Sequence, residues 1–436
     1  MEFRTVCVIG LGYIGLPTAS TLAAQGLSVL GVDINARTLQ VLESGEIHIH
    51  EAGLREVFRA ARAAGKLKVA SQPSEADAFI IAVPTPFQSN RLGSFNGRTY
   101  RLADLDAVRA AARSIVPVLR MGNLVVLEST SPPRTTVDVV APILEASGLK
   151  AGVDFHLAYS PERVLPGQIL RELRENARVI GGITPASAHR AAELYRLFVQ
   201  GEIVETDATT AEMVKLMENT FRDVNIAIAN EFSRLSRQFG VDVWEAISLA
   251  NRHPRVNILN PGPGVGGHCI SVDPWFLVEA APALTPLIAE ARRVNDSQPA
   301  FVVDLIRQAL GSIKGKRIAA LGLAYKPNVD DARESPAAEV VRLLQHEGAE
   351  VRSWEPFKPH VDLPGISLSS GLEAAVAGAD AVVLLVAHTD FRELRPNEIA
   401  QVMRGRVAVD TVNAWDADSW RQHGFSFHRL GSPQPE

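Results

Sequence analysis

The sequence predicts an α/β protein with two Rossmann-like, doubly wound domains joined by a long central helix. Three observations carry this prediction: a strand, glycine turn and helix beginning at Thr5, helical periodicity without Gly or Pro from Thr210 to about Phe239, and a second run of strands and helices after Lys316. Strands that alternate with helices are typical of parallel sheets. The predicted regions are 1–206 for a nucleotide-binding domain, 207–300 for a helical region and 301–436 for a second α/β domain.

Composition narrows the class of function. The 436 residues, 46% hydrophobic and 21% charged, are typical of a globular protein with two or three domains. A net charge of −5 argues against a nucleic-acid partner. Cys7 and Cys269, the two cysteines, provide no disulfide framework and favour a reducing, cytoplasmic compartment. Pro17 interrupts the apolar N-terminal run, which we therefore interpret as mature sequence and not as a signal peptide. No apolar run approaches the roughly 18 residues needed to span a bilayer, so no membrane partner is expected.

The N-terminal strand Thr5–Ile9 leads directly into a glycine-rich turn and a helix. Gly10 permits the tight turn, Gly12 lets the backbone approach a pyrophosphate, and Gly15 lets the helix pack on the strand. Asp33 ends the next strand, where a carboxylate accepts the ribose hydroxyls and favours NAD over NADP. A purely structural βαβ turn is the alternative. The residues expected to bind NAD here are Gly10, Gly12, Tyr13, Ile14, Gly15 and Asp33.

Two further buried strands end in hydroxyl-bearing residues. Asp77–Val83 is followed by Thr85, and Leu124–Leu127 is followed by Thr130. Ligands of open parallel sheets bind at the carboxyl ends of the strands, so Val83, Thr85 and Thr130 are candidate cofactor or active-site residues. Ordinary turn chemistry explains the threonines equally well. Gln88–Arg101, rich in Gly, Ser, Asn and Arg, is predicted to be a mobile surface loop.

A charged pair follows the next predicted strand, Phe155–Tyr159, and a further strand is predicted at Arg178–Gly182. Glu162 and Arg163 lie between Pro161 and Pro166, which suits a positioned acid/base or binding pair. An ordinary surface ion pair is the alternative.

The long helix carries Lys215, Asn219 and Asp223 at four-residue spacing, so an ammonium, an amide and a carboxylate share one face. A solvated polar face is the default interpretation. Neighbouring apolar residues also allow this face to border a pocket. A helix of this length could join two domains and carry a dimer seam.

The segment Pro261–Pro274 contains four glycines within six residues and delivers Cys269, with Asp273 four residues later. Such a backbone can fold closely around a ligand, and the thiol is a candidate nucleophile. The alternative is a small buried hydrophobic residue. Two arginines within Asn251–Asn257 suit a diphosphate or a carbohydrate. His268 adjoins Cys269 without necessarily contacting it, and no spacing typical of a metal site is present.

The C-terminal α/β region begins with the strand Lys316–Ala324 but lacks the glycine fingerprint, so we expect a ligand other than a second dinucleotide. Lys326 and Arg333 lie where a phosphate-binding loop would follow that strand. Exposed surface positions are the alternative. The predicted elements that follow are a helix at Ala337–His346 and strands at Glu350–Trp354, Ala381–Ala387 and Arg406–Asp410.

Together these segments resemble the UDP-glucose/GDP-mannose dehydrogenase family over essentially the whole chain. The resemblance is carried by Gly10–Gly15, Val83–Pro86, Glu128–Thr130, Ser160–Arg163, Lys215 with Asn219, the Cys269 loop, and Lys326 with Arg333–Ser335. Within the family, the chain looks most like the branch that acts on UDP-N-acetylhexosamines. The resemblance implies UDP-N-acetyl-D-mannosamine as substrate, with the gluco epimer as the alternative.

The resemblance also implies a mechanism, in which a sugar C6 alcohol is oxidised to a carboxylate by two NAD-dependent hydride transfers through a Cys269 thiohemiacetal and thioester. Lys215 matches the lysine that stabilises oxyanions, with Asn219 as its partner. Asp273 and Thr130 match residues that orient a water. Glu162 matches the carboxylate of thioester hydrolysis.

For binding, the resemblance implies that the loop Asn257–Gly267, including Gly264 and Gly266, holds the UDP pyrophosphate. Glu162, Arg163, Lys215, Asn219 and Lys326 would contact the substrate. Arg333 would contact the cofactor, and Arg255 would reach the sugar site of the neighbouring subunit of a homodimer. A non-catalytic NAD sensor and a two-electron β-hydroxyacid dehydrogenase are the alternatives from other classes.

Overall fold

The computed structural model describes residues 2–49, 51–165, 167–267, 269–357 and 363–433. Pro166 and His268, which the sequence motifs include, lie outside the described residues. The chain divides into two compact units, Met1–Glu218 with Trp275–Leu284 and Asn219–Pro274 with Thr285–Glu436.

The first unit is built on a sheet in the order β10-β9-β8-β7-β4-β1-β2-β3. From β3 to β8 the neighbouring strands are parallel and follow the Rossmann order, whereas β9 pairs antiparallel with β8 and parallel with β10. The strands are β1 Thr5–Ile9, β2 Ser28–Val32, β3 Leu67–Ala70, β4 Ala78–Ile81, β5 Phe87–Phe95, β6 Arg98–Ala103, β7 Leu124–Leu127, β8 His156–Tyr159, β9 Arg178–Gly182 and β10 Ile203–Asp207.

Helices with small and apolar buried faces cover this sheet. Leu16, Phe58 and Tyr195, from three different helices, join the side chains of β1 and β4 in one core. The helices are α1 Gly15–Ala24, α2 Ala36–Glu43, α3 Leu54–Ala63, α4 Asp106–Ile115, α5 Ala141–Leu144, α6 Ile169–Glu175 and α7 Pro185–Tyr195, with 3-10 turns at Val116–Val118 and Glu145–Ser147 and a π-helical segment at Thr136–Val140.

The second unit contains a parallel sheet in the order β12-β11-β13-β14-β15, the other common doubly wound order. Its strands are β11 Arg317–Leu321, β12 Glu350–Trp354, β13 Ala381–Leu384, β14 Val407–Asp410 and β15 Ser426–Arg429. The remaining helices are α8 Ala208–Phe239, α9 Val243–Ala250, α10 Asp273–Ala280, α11 Pro286–Leu310, α12 Pro336–His346, α13 Leu372–Val376, α14 Thr389–Arg392, α15 Pro396–Val402 and α16 Ala417–Gln422; the residues of α8 and α10 are divided between the two units.

The predicted fold class is confirmed, including the long helix α8 of 32 residues. The 25-residue helix α11 was not predicted. Pro299 lies inside α11, and an internal proline ordinarily argues for a helix end, which hides this helix from pattern analysis.

The prediction of a surface loop at Gln88–Arg101 is wrong, because β5 and β6 form an antiparallel hairpin there. Asn96 and Gly97 both have positive φ, 50° and 76°, as a primed two-residue turn requires. Gly93 pairs with Tyr100, whose ring occupies the space of the missing side chain. The dipeptide Asn-Gly was the signal in the sequence that could have identified this hairpin.

Among the helices of the described residues, none combines the length and the apolar character needed to cross a membrane.

Candidate active site

The glycine fingerprint joins β1 to α1 in the way its spacing predicts. Gly10 has a φ of 93°, and its N–H donates to the carbonyl of Val32 at 2.8 Å. A Cβ on Gly15 would lie 1.7 Å from the carbonyl oxygen of Gly10, so the helix packs directly on the turn. By contrast, a Cβ on Gly12 would meet no atom of the described residues within 4 Å. Gly12 therefore faces open space, as a pyrophosphate site beside its backbone requires.

Asp33 ends β2 with its carboxylate directed at the same turn. Oδ2 accepts the N–H of Leu11 at 2.9 Å and Oδ1 accepts the N–H of Asn35 at 2.8 Å. The side chain remains half-buried, so solvent or a ribose can still reach it. His48, which the sequence analysis did not single out, lies beside this carboxylate: burial lowers the pKa of His48, while the charge of Asp33 acts in the opposite direction.

The loops that follow β4 and β7 are joined by hydroxyl groups. Thr85 Oγ1 donates to the carbonyl of Thr130 at 2.7 Å, and Ser129 Oγ donates to the carbonyl of Val83 at 2.7 Å. The two threonines selected from the sequence therefore lie together at the carboxyl edge of the sheet, where cofactors of this fold bind.

A buried charged cluster occupies the ends of β7, β8 and β9. Nη2 of Arg178 lies 2.5 Å from Oε2 of Glu162, and its Nη1 lies 3.6 Å from Oε1 of Glu128. Tyr195 of α7 donates its hydroxyl to the same Glu128 oxygen at 2.6 Å, and its ring lies under the guanidinium at 4.4 Å. The alternative that Glu162 forms an ordinary surface pair is wrong, since its side chain is 8% exposed and that of Arg178 is 4% exposed.

Arg163 has other partners than Glu162. Its guanidinium Nη1 lies 2.7 Å from Oε1 of Glu218 on α8, while its backbone N–H donates to Oε1 of Glu162 at 2.8 Å. The side-chain amide of Asn176 donates to the carbonyl of Arg163 at 3.0 Å. The segment that carries Glu162 is thus fixed from both sides.

The polar face of α8 is buried, so the solvated alternative is wrong for its residues. Lys215 is 7% exposed, Asn219 1% and Asp223 0%. Oδ1 of Asp223 accepts a hydrogen bond from the guanidinium of Arg292 on α11, with Nη1 at 2.5 Å. Burial raises the pKa of the Asp223 carboxyl, while the charge of Arg292 opposes this shift. We assign Asp223 to the packing of α8 on α11.

The glycines of the Cys269 loop pack against protein. A Cβ on Gly266 would lie 2.7 Å from the carbonyl oxygen of Glu334, and one on Gly264 would lie 2.9 Å from Pro336. Gly267 has a φ of 85° and donates its N–H to the carbonyl of Arg333 at 3.0 Å. Gly264, Gly266 and Gly267 are thus needed for packing against the segment that follows β11, an explanation that the sequence did not suggest.

Cys269 lies in the turn that begins α10. Its carbonyl accepts the N–H of Asp273 at 2.8 Å, and the Asp273 carboxylate accepts a hydrogen bond from the side-chain amide of Asn219. Cys269 is half-buried, whereas Cys7 is fully buried and burial raises the pKa of its thiol to about 12. Cys7 is therefore the inert thiol and Cys269 the accessible one.

Three asparagine side chains hold the segment before the glycine loop. Asn225 of α8 donates to the carbonyl of Asn257 at 2.9 Å and accepts the N–H of Leu259 at 2.9 Å. Asn251 binds both backbone groups of Ile258, and Asn230 accepts the N–H of Gly262 at 3.0 Å. Arg255, just before this segment, is exposed.

The segment after β11 carries both predicted basic residues. Arg333 forms a two-pronged ion pair with Asp331, with Nη2 2.6 Å from Oδ2, and Lys326 is half-buried. Glu355 follows β12 as Asp33 follows β2, but His388 covers it, with Nε2 3.1 Å from Oε1. This buried arrangement differs from the half-exposed Asp33 and fits a sheet that does not bind a dinucleotide in the same way.

Three family models match the chain in the order of these sites. The UDP-glucose/GDP-mannose dehydrogenase NAD binding domain matches residues 4–199, the central domain 209–297 and the UDP binding domain 319–417. The chain belongs to the UDP-glucose/GDP-mannose dehydrogenase family.

Full-length relatives support the family. An NDP-N-acetyl-D-galactosaminuronic acid dehydrogenase of Ralstonia nicotianae is 48% identical over 96% of this chain and 97% of that protein. A UDP-N-acetyl-D-mannosamine dehydrogenase of Escherichia coli is 46% identical over 95% of this chain and 100% of that protein. The solved structure of a UDP-D-ManNAc dehydrogenase from Pyrococcus horikoshii is 42% identical, with a TM-score of 0.90, and the match covers 98% of this chain and 99% of that one.

As a member of this family, the protein is an NAD-dependent nucleotide-sugar dehydrogenase, and NAD is its cofactor. The open space at Gly12 and the half-exposed Asp33 are the features of the first unit that fit this cofactor.

Several site residues were missed by the sequence analysis. Arg178, Tyr195 and Glu128 surround Glu162, and Asn225 and Asn251 hold the segment at Asn257. The sequence carried little signal for their roles, because their partners lie 16 or more residues away in four of the five cases. The family resemblance includes Glu128 in one of its motifs but assigns it no role.

Proposed function

We propose that this dehydrogenase oxidises the C6 alcohol of a UDP-N-acetylhexosamine to the carboxylate, with UDP-N-acetyl-D-mannosamine as the best-supported substrate. Relatives named UDP-N-acetyl-D-mannosamine dehydrogenase are 43–46% identical over 95–99% of this chain. The observation that carries the chemistry is the half-buried Cys269, one helical turn from Asp273, which Asn219 holds in place.

The reaction proceeds through the thiol. NAD, when bound, accepts one hydride in each of two oxidations. The alcohol first loses a hydride and a proton to give the aldehyde, and Cys269 Sγ adds to its carbon to form a thiohemiacetal. Loss of a second hydride and proton gives the thioester. Water then adds to that carbon, the carbon–sulfur bond breaks, and the carboxylate and thiol are released.

Each polar residue has a proposed task in this sequence. Lys215 stabilises the oxyanions that form during alcohol oxidation and thiol addition, with Asn219 as a second donor. Asp273 and Thr130 orient a water for proton transfer, and Glu162 accepts a proton from the hydrolytic water. The burial of Lys215, Asn219 and Asp273, at 7% exposure or less, supports this assignment because hydrogen bonds and charges act more strongly away from solvent.

We also propose how the ligands are held. The loop Asn257–Gly267, including Gly264 and Gly266, would bind the UDP pyrophosphate, and Lys326 and Arg163 would contact the substrate. Arg333 would contact the cofactor. The match of the C-terminal part to a UDP binding domain supports a UDP-sugar as the substrate class.

A second candidate substrate comes from the relatives. Two proteins named NDP-N-acetyl-D-galactosaminuronic acid dehydrogenase are 48% identical to this chain, which favours the galacto epimer as the alternative. The test is kcat/KM for NAD reduction with UDP-N-acetylmannosamine, UDP-N-acetylgalactosamine, UDP-N-acetylglucosamine and UDP-glucose. We expect the manno sugar to exceed the others by at least about tenfold. A preference for the galacto or gluco sugar would replace the substrate and keep the mechanism.

We propose that the protein acts as a homodimer, with Arg255 completing the partner's sugar site. Apolar side chains of α8, among them Phe221, Phe232 and Leu235, are 39–64% exposed, and an apolar pocket of about 390 Å³ lies beside them. Such a surface supports an interface between copies. The pocket lining is Phe232, Leu235, Ser236, Phe239, Val241, Val243, Ala246, Ile247, Ala250 and Ile258.

A complementation experiment tests Arg255. Arg255→Ala and Cys269→Ala should each be inactive, whereas mixed dimers of the two should regain activity, because the intact Cys269 then receives the intact Arg255 from its partner. Activity that stays absent in verified mixed dimers would contradict the contribution across the interface. The cytoplasmic location and the region boundaries at 206/207 and 300/301 remain predictions; Cys7 and Cys269, which form no disulfide, support the former.

A further inference from the structure

Glu128 is a buried carboxyl group that the proposed mechanism does not use. Its side chain is 0% exposed and follows β7 two residues before Thr130. Oε1 accepts a hydrogen bond from the Tyr195 hydroxyl at 2.6 Å, whereas Oε2 has no hydrogen-bond partner among the described residues. A fully buried carboxylate with an unsatisfied oxygen is costly, and protonation removes most of that cost.

One guanidinium serves two carboxyl groups at this point. Arg178 is held between Glu162 on one side and Glu128 on the other, at 2.5 and 3.6 Å. Its Nη1 also donates to Ser160 at 3.0 Å. Arg178 carries one positive charge and can balance one carboxylate. Because its contact with Glu162 is the shorter one, we assign the negative charge to Glu162. The groups that face Glu128 with charge or titratable protons are Arg178 from β9, Glu162 from the segment after β8 and Tyr195 from α7.

A carboxylate held tightly by an arginine is less available to a water molecule, since the ion pair occupies its oxygens. A second carboxyl group on the same guanidinium changes this balance. When Glu128 carries a negative charge, it competes with Glu162 for Arg178 and loosens the hold of the arginine on the Glu162 carboxylate.

We infer that Glu128 is a positioning residue that competes with Glu162 for their shared partner Arg178 and so controls how freely the Glu162 carboxylate engages the hydrolytic water. The inference rests on the proposed role of Glu162 in thioester hydrolysis. In that step Glu162 accepts one proton of the attacking water, the water oxygen bonds to the thioester carbon, the carbon–sulfur bond breaks, and the sulfur leaves as a thiolate. No electrons are exchanged with NAD in this step.

The test is the pH profile of hydrolysis of the Cys269 acyl-enzyme, followed by rapid quench and intact-protein mass. Between pH 6 and 8 we expect the wild-type rate constant to rise by roughly tenfold as Glu128 ionises, and the isosteric variant Glu128→Gln to rise by less than about twofold. Tyr195→Phe removes a hydrogen bond that favours the ionised carboxyl, so its profile should move to higher pH. A merely structural Glu128 would leave all three profiles parallel, and that result would overturn the inference.

An infrared measurement separates this inference from the proposed function. At pH 6 the wild-type protein should show the carbonyl stretch of a protonated carboxyl group that is missing in Glu128→Gln, whether or not a substrate turns over. Absence of that band would overturn the inference. If the wild-type protein forms neither NADH nor a Cys269 adduct with any UDP-sugar, the proposed function fails and the role of Glu128 in hydrolysis fails with it, although the band would still report its charge.

Discussion

The side-chain amide of Asn219 donates a hydrogen bond to the carboxylate of Asp273. The side-chain oxygen of Asn219 in turn accepts a hydrogen bond from the guanidinium of Arg222. The contact connects α8 to the first residue of α10, four residues after Cys269. Both side chains are at most 2% exposed, so the pair is fixed by burial as well as by the hydrogen bond.

Exchanging the two groups separates their structural and chemical roles. Asn219→Asp places two carboxylates in a buried contact, and we expect the free energy of unfolding to fall by about 2–4 kcal/mol. Asp273→Asn should cost less than about 1.5 kcal/mol but lower kcat at least about 100-fold. The double variant restores one amide and one carboxylate, so stability should recover while activity stays low. Urea denaturation measures the effect on stability and kcat measures the effect on activity. An active double variant would show that the carboxylate works equally well at position 219 and at position 273.

The glycine fingerprint predicts two different failures. A Cβ on Gly15 collides with the Gly10 carbonyl at 1.7 Å, so Gly15→Ala should destabilise the protein without NAD by about 2 kcal/mol or more. In Gly12→Ala the new methyl group faces open space, so the stability of the protein without NAD should change by less than about 0.5 kcal/mol. The affinity for NAD should nevertheless fall by at least about tenfold. Calorimetric titration with NAD and thermal unfolding separate these effects. If Gly12→Ala binds NAD as tightly as the wild-type protein, the pyrophosphate does not lie beside the backbone of Gly12.

The glycine loop before Cys269 provides a matched pair. In Gly266→Ala the new methyl group meets Glu334, Pro336 and Tyr325 at 2.7–2.9 Å, and we expect a loss of about 1–3 kcal/mol of unfolding free energy. Gly262→Ala meets no atom within 4 Å and serves as the control, with a change below about 0.5 kcal/mol. Equal stabilities in urea would mean that the loop does not pack on the segment after β11.

The charge state of Glu128 predicts how stability depends on pH. Burial raises the pKa of this carboxyl from its ordinary 4.5 to about 7; Arg178 opposes the shift and Glu162 adds to it. Between these values the folded protein binds more protons than the unfolded chain, so the contribution of Glu128 to stability is present below pH 4.5 and lost as pH rises through 7. Relative to Glu128→Gln, the wild-type protein should lose roughly 2–3 kcal/mol over this range. A difference that does not vary with pH would contradict a protonated Glu128.

Local pattern was sufficient for much of the fold. The strands Thr5–Ile9, Leu124–Leu127, Arg178–Gly182 and Glu350–Trp354 begin and end where the sequence predicts, because each is a short run with at least one β-branched residue near turn-forming residues. The fingerprint glycines were also predictable, since Gly15 packs on Gly10 within the same βαβ unit.

The features that the sequence did not predict depend on contacts between segments that are distant in the chain. Glu162 was selected as functional, but its partner Arg178 reads only as the first residue of a strand. The glycines near Cys269 were predicted to fold around a ligand, and the structure adds a contact that the sequence does not show, since Gly267 packs on the ring of Tyr325, 58 positions later in the chain. Tertiary contacts of this kind carry no periodicity.

The most direct test of the covalent mechanism is the amount of NADH formed per limiting UDP-N-acetylmannosamine, measured for the wild-type protein and for Cys269→Ser. We predict two NADH per sugar for the wild-type protein, and a Cys269→Ser variant that does not complete the four-electron oxidation. One NADH per sugar from the wild-type protein, or two from Cys269→Ser at the wild-type rate, would contradict the thioester route.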